Sequence, residues 1–134
     1  VDDIMVNDKD ELVVIDFKST AKRADINSRN DVWGRGEPYK RQLEIYSWLL
    51  QKNGFDVSKT GYLMYYNGDT NQPHLGKTMY FRRTLVDFQL DTDWIDPIIE
   101  GMFNCLQQDN TPMLDKESCE QCLYRETYQD LKDL

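Results

Sequence analysis

The chain lacks any long hydrophobic run. None of its apolar stretches approaches the ~18 residues that a membrane-spanning helix requires, and no signal peptide is visible. With 134 residues, 40% hydrophobic and 12% aromatic, the chain has enough apolar surface for one compact domain with a real core. We therefore expect a globular protein without a membrane partner.

Cysteine and histidine are scarce. The three cysteines form no regular disulfide framework, which favours a reducing, cytoplasmic setting. His74, the single histidine, falls in a loop rich in turn residues. There, an exposed side chain is a commoner outcome than a metal ligand, so we expect His74 to be exposed.

The chain as a whole has no excess of basic residues. Its net charge of −8 argues against a protein that coats nucleic acid. The positive charge is grouped in residues 19–41, at Lys22, Arg23, Arg29, Arg35, Lys40 and Arg41. A polyanion would have to lie there if the preceding strand were catalytic. Ordinary charge scatter in a solvated loop is the alternative.

The segment Glu11 to Thr20, ELVVIDFKST, predicts a strand that ends in reactive side chains. Because strand side chains alternate between two faces, Asp16 and Lys18 point the same way. Such a pair suits metal-assisted hydrolysis. The aspartate holds a divalent cation, while the lysine orients a water molecule and offsets negative charge in the transition state. A salt bridge on an exposed strand end is the alternative.

A second predicted strand precedes this one. VDDIMV and the polar turn NDKDE predict a hairpin whose open end brings Asp2 or Asp3 next to Asp16. Neighbouring carboxylates are costly unless a cation lies between them, so we expect a hard-metal site with oxygen ligands, suited to Mg²⁺ or Mn²⁺. The register is not determined by the sequence. Asp2 is the preferred ligand, and two frayed terminal aspartates are the alternative.

The middle of the chain predicts a loop and then a helix. Residues 19–36 predict a long polar loop, in which Trp33 is either a packing anchor, the preferred interpretation, or a nucleic-acid contact. Residues 37–53 predict a helix with Gln42 and Tyr46 on one face. A glutamine within an apolar stripe needs hydrogen-bonding partners, which a site at the hairpin end would supply. A glutamine at the helix rim is the alternative.

The rest of the chain completes an α/β pattern. It predicts paired strands at 59–66 and 78–85, an amphipathic helix at 91–108, a linker at 109–118 and a terminal helix at 124–134. The amphipathic helix is expected to bury one stripe, made of Ile95, Ile98, Ile99, Met102 and Leu106. We therefore expect a mixed, mainly antiparallel sheet of about four strands with helices on both sides.

In the order and spacing of VDDI, IDFKST, YKRQLEIY and CEQCLYR, the sequence resembles the PD-(D/E)XK nucleases, specifically their RecB-like branch. The resemblance covers nearly the whole chain. It implies a restriction-endonuclease-like core and a Mg²⁺- or Mn²⁺-dependent nuclease, of exonuclease type, that acts on DNA. Repair, recombination or phage DNA processing, within a larger complex, would be its setting.

The resemblance also implies roles for individual residues. Asp2, Asp16 and the backbone carbonyl of Phe17 would be the metal ligands. Lys18 would position the attacking water. The Q-x-x-x-Y pair, Gln42 and Tyr46, would support the site or contact DNA.

The chain departs from the family pattern near its two ends. It starts at Val1, so the usual glycine and the N-terminal helix with its upstream ligand are missing, and we expect residues 1–134 to be a single nuclease-like domain without that helix. Some relatives hold an iron–sulfur cluster on four thiolates. Here only Cys119 and Cys122 match, while Cys105 looks like core packing, so no cluster is expected. A zinc half-site completed by another chain stays open.

Other functions are compatible with the sequence. A catalytically inactive homologue would bind DNA or a partner protein through the same scaffold, and the acidic last third suggests an interaction domain. Retention of Asp2, Asp16, Lys18 and Gln42 favours the nuclease, because an inactive module has no need of a costly carboxylate cluster.

Overall fold

The structure is a computed structural model that describes residues 1–71, 74, 76–109 and 119–132. These residues form two compact units, Val1–Ile95 and Asp96–Leu134. The predicted linker at 109–118 lies almost entirely outside the described residues. The assignment of the whole chain to a single domain stays a prediction.

Four strands form one mixed sheet in the first unit. Strands β1 (Asp3–Val6), β2 (Leu12–Thr20), β3 (Thr60–Gly68) and β4 (Phe81–Gln89) lie side by side in sequence order. The β1–β2 and β3–β4 pairs are antiparallel, and the central β2–β3 pair is parallel. The structure therefore confirms the predicted α/β class and the mixed, mainly antiparallel sheet of four strands.

The strand boundaries differ slightly from the predicted ones. The first strand begins at Asp3 rather than at the first residue, and β2 begins at Leu12 rather than at Glu11 and ends at Thr20 as predicted. The strands predicted at 59–66 and 78–85 pair as expected, but β4 begins three residues later, at Phe81. Alternation of apolar residues identifies a strand well, whereas its ends depend on where its partner strand stops.

Helix α1 (Glu37–Lys52) packs on one face of this sheet. Its apolar stripe is the predicted one: Leu43 is fully buried against Val14 and Leu63, and Tyr39, Tyr46 and Leu50 pack around this core. Pro38 suits the first turn, where a missing N–H breaks no helical hydrogen bond. The core thus holds the face of α1 that carries Gln42 and Tyr46 against β2 and β3.

The segment between β2 and α1 is more ordered than the predicted polar loop. It contains two 3₁₀ turns, Arg29–Asp31 and Trp33–Gly36. Ile26 and Val32 are both buried in the core around α1. Isolated apolar residues in a polar segment have no periodicity, so the sequence did not indicate these two anchors.

Trp33 does not behave as the packing anchor that the sequence predicted. Its side chain is 63% exposed, while that of its neighbour Val32 is only 3% exposed. The role of anchor therefore belongs to Val32, and the preferred interpretation of Trp33 was wrong.

The last two helices are shorter than, or shifted from, the predicted ones. Helix α2 covers Ile95–Leu106 and α3 covers Glu120–Lys132. Ile95 is buried, but the other members of the predicted stripe are exposed, from 45% for Ile99 to 81% for Leu106. The predicted burial of this stripe is wrong, because a helical period shows which residues share a face but not whether another element covers that face.

Two of the cysteines are joined in a disulfide. Cys119 and Cys122 pair at the start of α3, and Cys105 is free and half-buried rather than in the core. The sequence did not predict this bond. In the oxidised form neither sulfur is a thiolate, so neither can act as a zinc ligand.

No helix within the described residues is both long and apolar enough to cross a membrane.

Candidate active site

The β1–β2 hairpin brings two carboxylates to one face of the sheet. Asp3 pairs with Ile15, so the next step of the register sets Asp2 opposite Asp16. Asp2 Oδ2 accepts a hydrogen bond from the Phe17 N–H at 2.8 Å. Asp3 belongs to the opposite face, so the register favours Asp2 as the partner of Asp16.

Hydrogen bonding and charge keep Asp2 ionised. The Phe17 N–H is the main cause that holds the pKa of Asp2 below its usual value of 3.8. Partial desolvation opposes this effect. Hydrogen bonding with the Asp16 carboxyl group and the positive charge of Lys18 lower the pKa of Asp2 further. A carboxylate at this position is therefore available as a negative oxygen ligand at neutral pH.

Asp16 is the buried member of the pair, with only 2% of its surface exposed. Its Oδ2 lies against Lys18 Nζ in an ion pair, yet no donor among the described residues meets this oxygen in hydrogen-bonding geometry. The Lys18 ammonium balances one negative charge here, and the second carboxylate, Asp2, lies on the same face. Hard divalent ions prefer carboxylate oxygen, so such an ion would suit the pair of carboxylates.

Lys18 is held from two further directions. Its Nζ donates a hydrogen bond to Gln42 Oε1 at 3.0 Å and lies 5.1 Å from the centroid of the Tyr39 ring. Gln42 Nε2 in turn donates to Tyr46 Oη at 2.7 Å. Because an ammonium group only donates, the oxygen of the Gln42 amide has to face Lys18. The two residues predicted to share a face of α1, Gln42 and Tyr46, are therefore connected to the end of β2 through Lys18.

Two tyrosines that the sequence did not assign to the site complete this network. Tyr65 of β3 stands beside Lys18 in the parallel register and is only 4% exposed. Burial, and then the side-chain hydrogen bond with Tyr39, raise the pKa of Tyr65 to about 12. Tyr39 lies three residues before Gln42, so helical spacing could have indicated it. Tyr65 could be found only from the strand pairing.

The oxygen atoms at the hairpin end fit Mg²⁺ or Mn²⁺. Such ions keep several water ligands and need only one or two carboxylates, which Asp2 and Asp16 offer. Within the described residues, no group of three or more His, Cys, Asp or Glu side chains is placed to hold a metal ion. The other ligands would therefore be water, backbone oxygen or the phosphate of a substrate.

The fold agrees with a comparison against protein families. The model of the PD-(D/E)XK nuclease superfamily matches residues 1–127, so the chain belongs to this superfamily. Its members are nucleases that generally use divalent metal ions. No curated protein and no solved structure matches the chain. The predicted superfamily is confirmed, while the RecB-like branch stays a prediction.

Proposed function

We propose that this chain hydrolyses phosphodiester bonds of DNA with the help of Mg²⁺ or Mn²⁺. One observation carries the proposal: the buried carboxylate of Asp16 is paired with the Lys18 ammonium and lies on the same face as Asp2. Two carboxylates and an ammonium group in such proximity are the parts that metal-assisted hydrolysis needs.

The backbone carbonyl of Phe17 is the third proposed ligand. In a strand, the N–H and C=O of one residue point to the same side, and the Phe17 N–H points to Asp2. The β1–β2 ladder stops at the pair Asp3–Ile15. No residue of β1 is therefore paired with Phe17. This oxygen therefore points toward Asp2 beyond the end of the ladder, where an ion could bind it.

The side chains around Lys18 have a positioning role in the proposed mechanism. The bound ion would act as a Lewis acid toward the phosphate and lower the pKa of a water molecule. Lys18 Nζ, fixed by Gln42 and the ring of Tyr39, would hold the attacking water and offset the charge that develops on the phosphate. Gln42 is in turn fixed by Tyr46.

The segment after β2 offers positive charge for the DNA backbone. Lys22 and Arg82 bind protein partners there, the Asp31 carbonyl and the Asp25 carboxylate. By contrast, Arg23, Arg35 and Arg41 are exposed and form no ion pair with the described residues. These three guanidinium groups are the proposed phosphate contacts.

The resemblance to RecB-like nucleases extends the proposal to a biological setting. We infer a role in repair, recombination or phage DNA processing, as part of a larger complex. The motif order VDDI, IDFKST and YKRQLEIY supports this branch.

Cleavage assays test the proposed activity. Linear and circular DNA, single- and double-stranded, is incubated with the protein in Mg²⁺, Mn²⁺ or EDTA. We expect cleavage that needs the metal and falls by about 100-fold or more in Lys18→Ala, as when a transition-state donor is removed. Lys9→Ala, on the exposed turn of the same hairpin, is the matched control. Equal rates for Lys18→Ala and the parent would disprove the role of Lys18.

A non-catalytic homologue is the second candidate function. The small number of carboxylates at the site favours it, since no third acidic side chain joins Asp2 and Asp16 among the described residues. Melting temperatures with and without Mn²⁺ separate the two functions. A cation site raises the melting temperature by mass action, and Asp16→Asn should abolish that rise. A protein that neither cuts DNA nor responds to Mn²⁺ is the non-catalytic module.

A further inference from the structure

Trp33 is an exposed aromatic side chain on a rigidly held turn. Its side chain is 63% exposed. The preceding residue, Val32, is buried in the core. Three residues further on, Gly36 lies so close to Phe88 that an added Cβ would approach the ring to 2.7 Å. The backbone on both sides of Trp33 is therefore fixed, while its indole ring faces solvent.

The backbone of this turn has a left-handed conformation that most residues rarely adopt. Gly34, Arg35 and Gly36 all have positive φ, at 60°, 54° and 80°. For the non-glycine Arg35 this left-handed conformation costs about 1–2 kcal/mol. Strained residues persist where the surrounding structure holds them, and they cluster at functional sites. This turn carries an exposed tryptophan and, two residues further along the chain, an exposed arginine.

Two ring contacts connect Trp33 with the proposed catalytic lysine. The Trp33 ring meets the Tyr39 ring edge-on, with centroids 6.2 Å apart. The Tyr39 ring lies 5.1 Å from Lys18 Nζ. An exposed aromatic surface is thus separated by one ring, that of Tyr39, from the group that would hold the attacking water.

We propose that Trp33 is a stacking platform for an unpaired base and makes the site selective for single-stranded DNA; this inference rests on the proposed function. Inside a duplex both faces of each base are covered by neighbouring pairs, so away from the duplex ends only an unpaired base can lie flat on the indole ring. Arg35, on the same turn, contacts the backbone of the bound strand. The scissile phosphate then lies near Lys18, and a nucleotide next to it stacks on Trp33.

The test measures binding without catalysis. In EDTA, the protein is titrated with a single-stranded oligothymidylate of about 12 nucleotides and, separately, with a duplex of the same length. We expect the single strand to quench tryptophan fluorescence of the parent. Trp33→Leu should lose about 5- to 100-fold in affinity for the single strand, the range for one stacked base. The affinity for duplex should change less than about twofold.

Two further variants exclude a merely structural effect. Phe81→Leu is the matched control, because Phe81 is 44% exposed and meets Tyr66 edge-on, but lies on the opposite face of the sheet from Asp16. It should bind the single strand like the parent. Trp33→Phe should keep most of the affinity, since a phenyl ring also stacks.

The outcomes are distinct from those of the cleavage assay. No single-strand binding by the parent, equal binding by Trp33→Leu, or equal losses for single strand and duplex would each overturn the proposal for Trp33. None of these results involves metal or turnover. If the protein cuts duplex and single-stranded DNA equally well, the proposed nuclease activity stands and the proposal for Trp33 is wrong. If single-stranded DNA binds through Trp33 but no DNA is cut, the proposal for Trp33 stands and the proposed nuclease activity is wrong.

Discussion

Lys18 Nζ donates a hydrogen bond of 3.0 Å to the side-chain oxygen of Gln42. This bond joins the end of β2 to the middle of α1, two elements separated by the long segment that carries Trp33. It ties the strand that provides the acidic and basic groups to the helix that fixes their geometry. The orientation of the lysine thus depends on a residue that has no charge and no reactive group.

Removal of the Gln42 amide should therefore affect turnover more than metal binding. In Gln42→Ala, Lys18 loses a charge-assisted hydrogen bond worth about 1.5–3 kcal/mol, so kcat should fall about 10- to 100-fold. Tyr46→Phe removes only the support behind Gln42 and should cause a smaller loss. The rise of melting temperature in Mn²⁺ should be kept in both variants. If Gln42→Ala abolished that rise, Gln42 would belong to the ion site instead.

The ionised side chain of Asp2 should make the free energy of unfolding depend on pH in the acid range. Its folded pKa is lowered from 3.8, chiefly by the Phe17 N–H, so the folded state favours the ionised form. This contribution is present above the unfolded pKa and is lost as the pH falls through the lower folded pKa. In urea unfolding in EDTA, the stability advantage of the parent over Asp2→Asn should therefore be present at neutral pH and shrink in acid. A difference that stays constant across this range would contradict the ionised Asp2.

The side chain of Tyr65 should make the free energy of unfolding fall as the pH rises in the alkaline range. Burial and the hydrogen bond with Tyr39 raise its pKa from 10.0 to about 12. The unfolded chain loses the proton first, so the stability of the fold falls between about pH 10 and pH 12. Tyr65→Phe should lack this part of the alkaline loss. Tyr80→Phe, at a tyrosine that is 59% exposed, is the control and should unfold with the pH dependence of the parent.

Gly36 should tolerate no side chain. Gly36→Ala meets both the left-handed φ of 80° and a contact of 2.7 Å between the new Cβ and the Phe88 ring. Backbone strain of about 1–2 kcal/mol and overpacking of about 1–3 kcal/mol then add. Gly54→Ala is a close control, because its φ of 85° is similar but nothing lies within 4 Å of the added Cβ. Urea unfolding should show a clearly larger loss for Gly36→Ala, and equal losses would disprove the packing contact.

The sequence alone was sufficient for the local parts of this site. Alternation along ELVVIDFKST assigns Asp16 and Lys18 to one strand face, and the four-residue spacing of Gln42 and Tyr46 assigns them to one helix face. The hairpin, the paired strands β3 and β4 and the stripe of α1 follow from the same short periods. These features depend on the geometry of neighbouring residues in one element, and a sequence contains that information directly.

Only the tertiary structure decided what these faces meet. The parallel pairing of β2 with β3 sets Tyr65 beside Lys18, and the register sets Asp2 rather than Asp3 opposite Asp16. In the tertiary structure Val32 is buried, whereas Trp33 and most of the predicted stripe of α2 are exposed. Burial, strand register and pKa depend on residues distant in the chain, whose approach is determined by the packing of the whole fold. Local periodicity contains no information about these contacts.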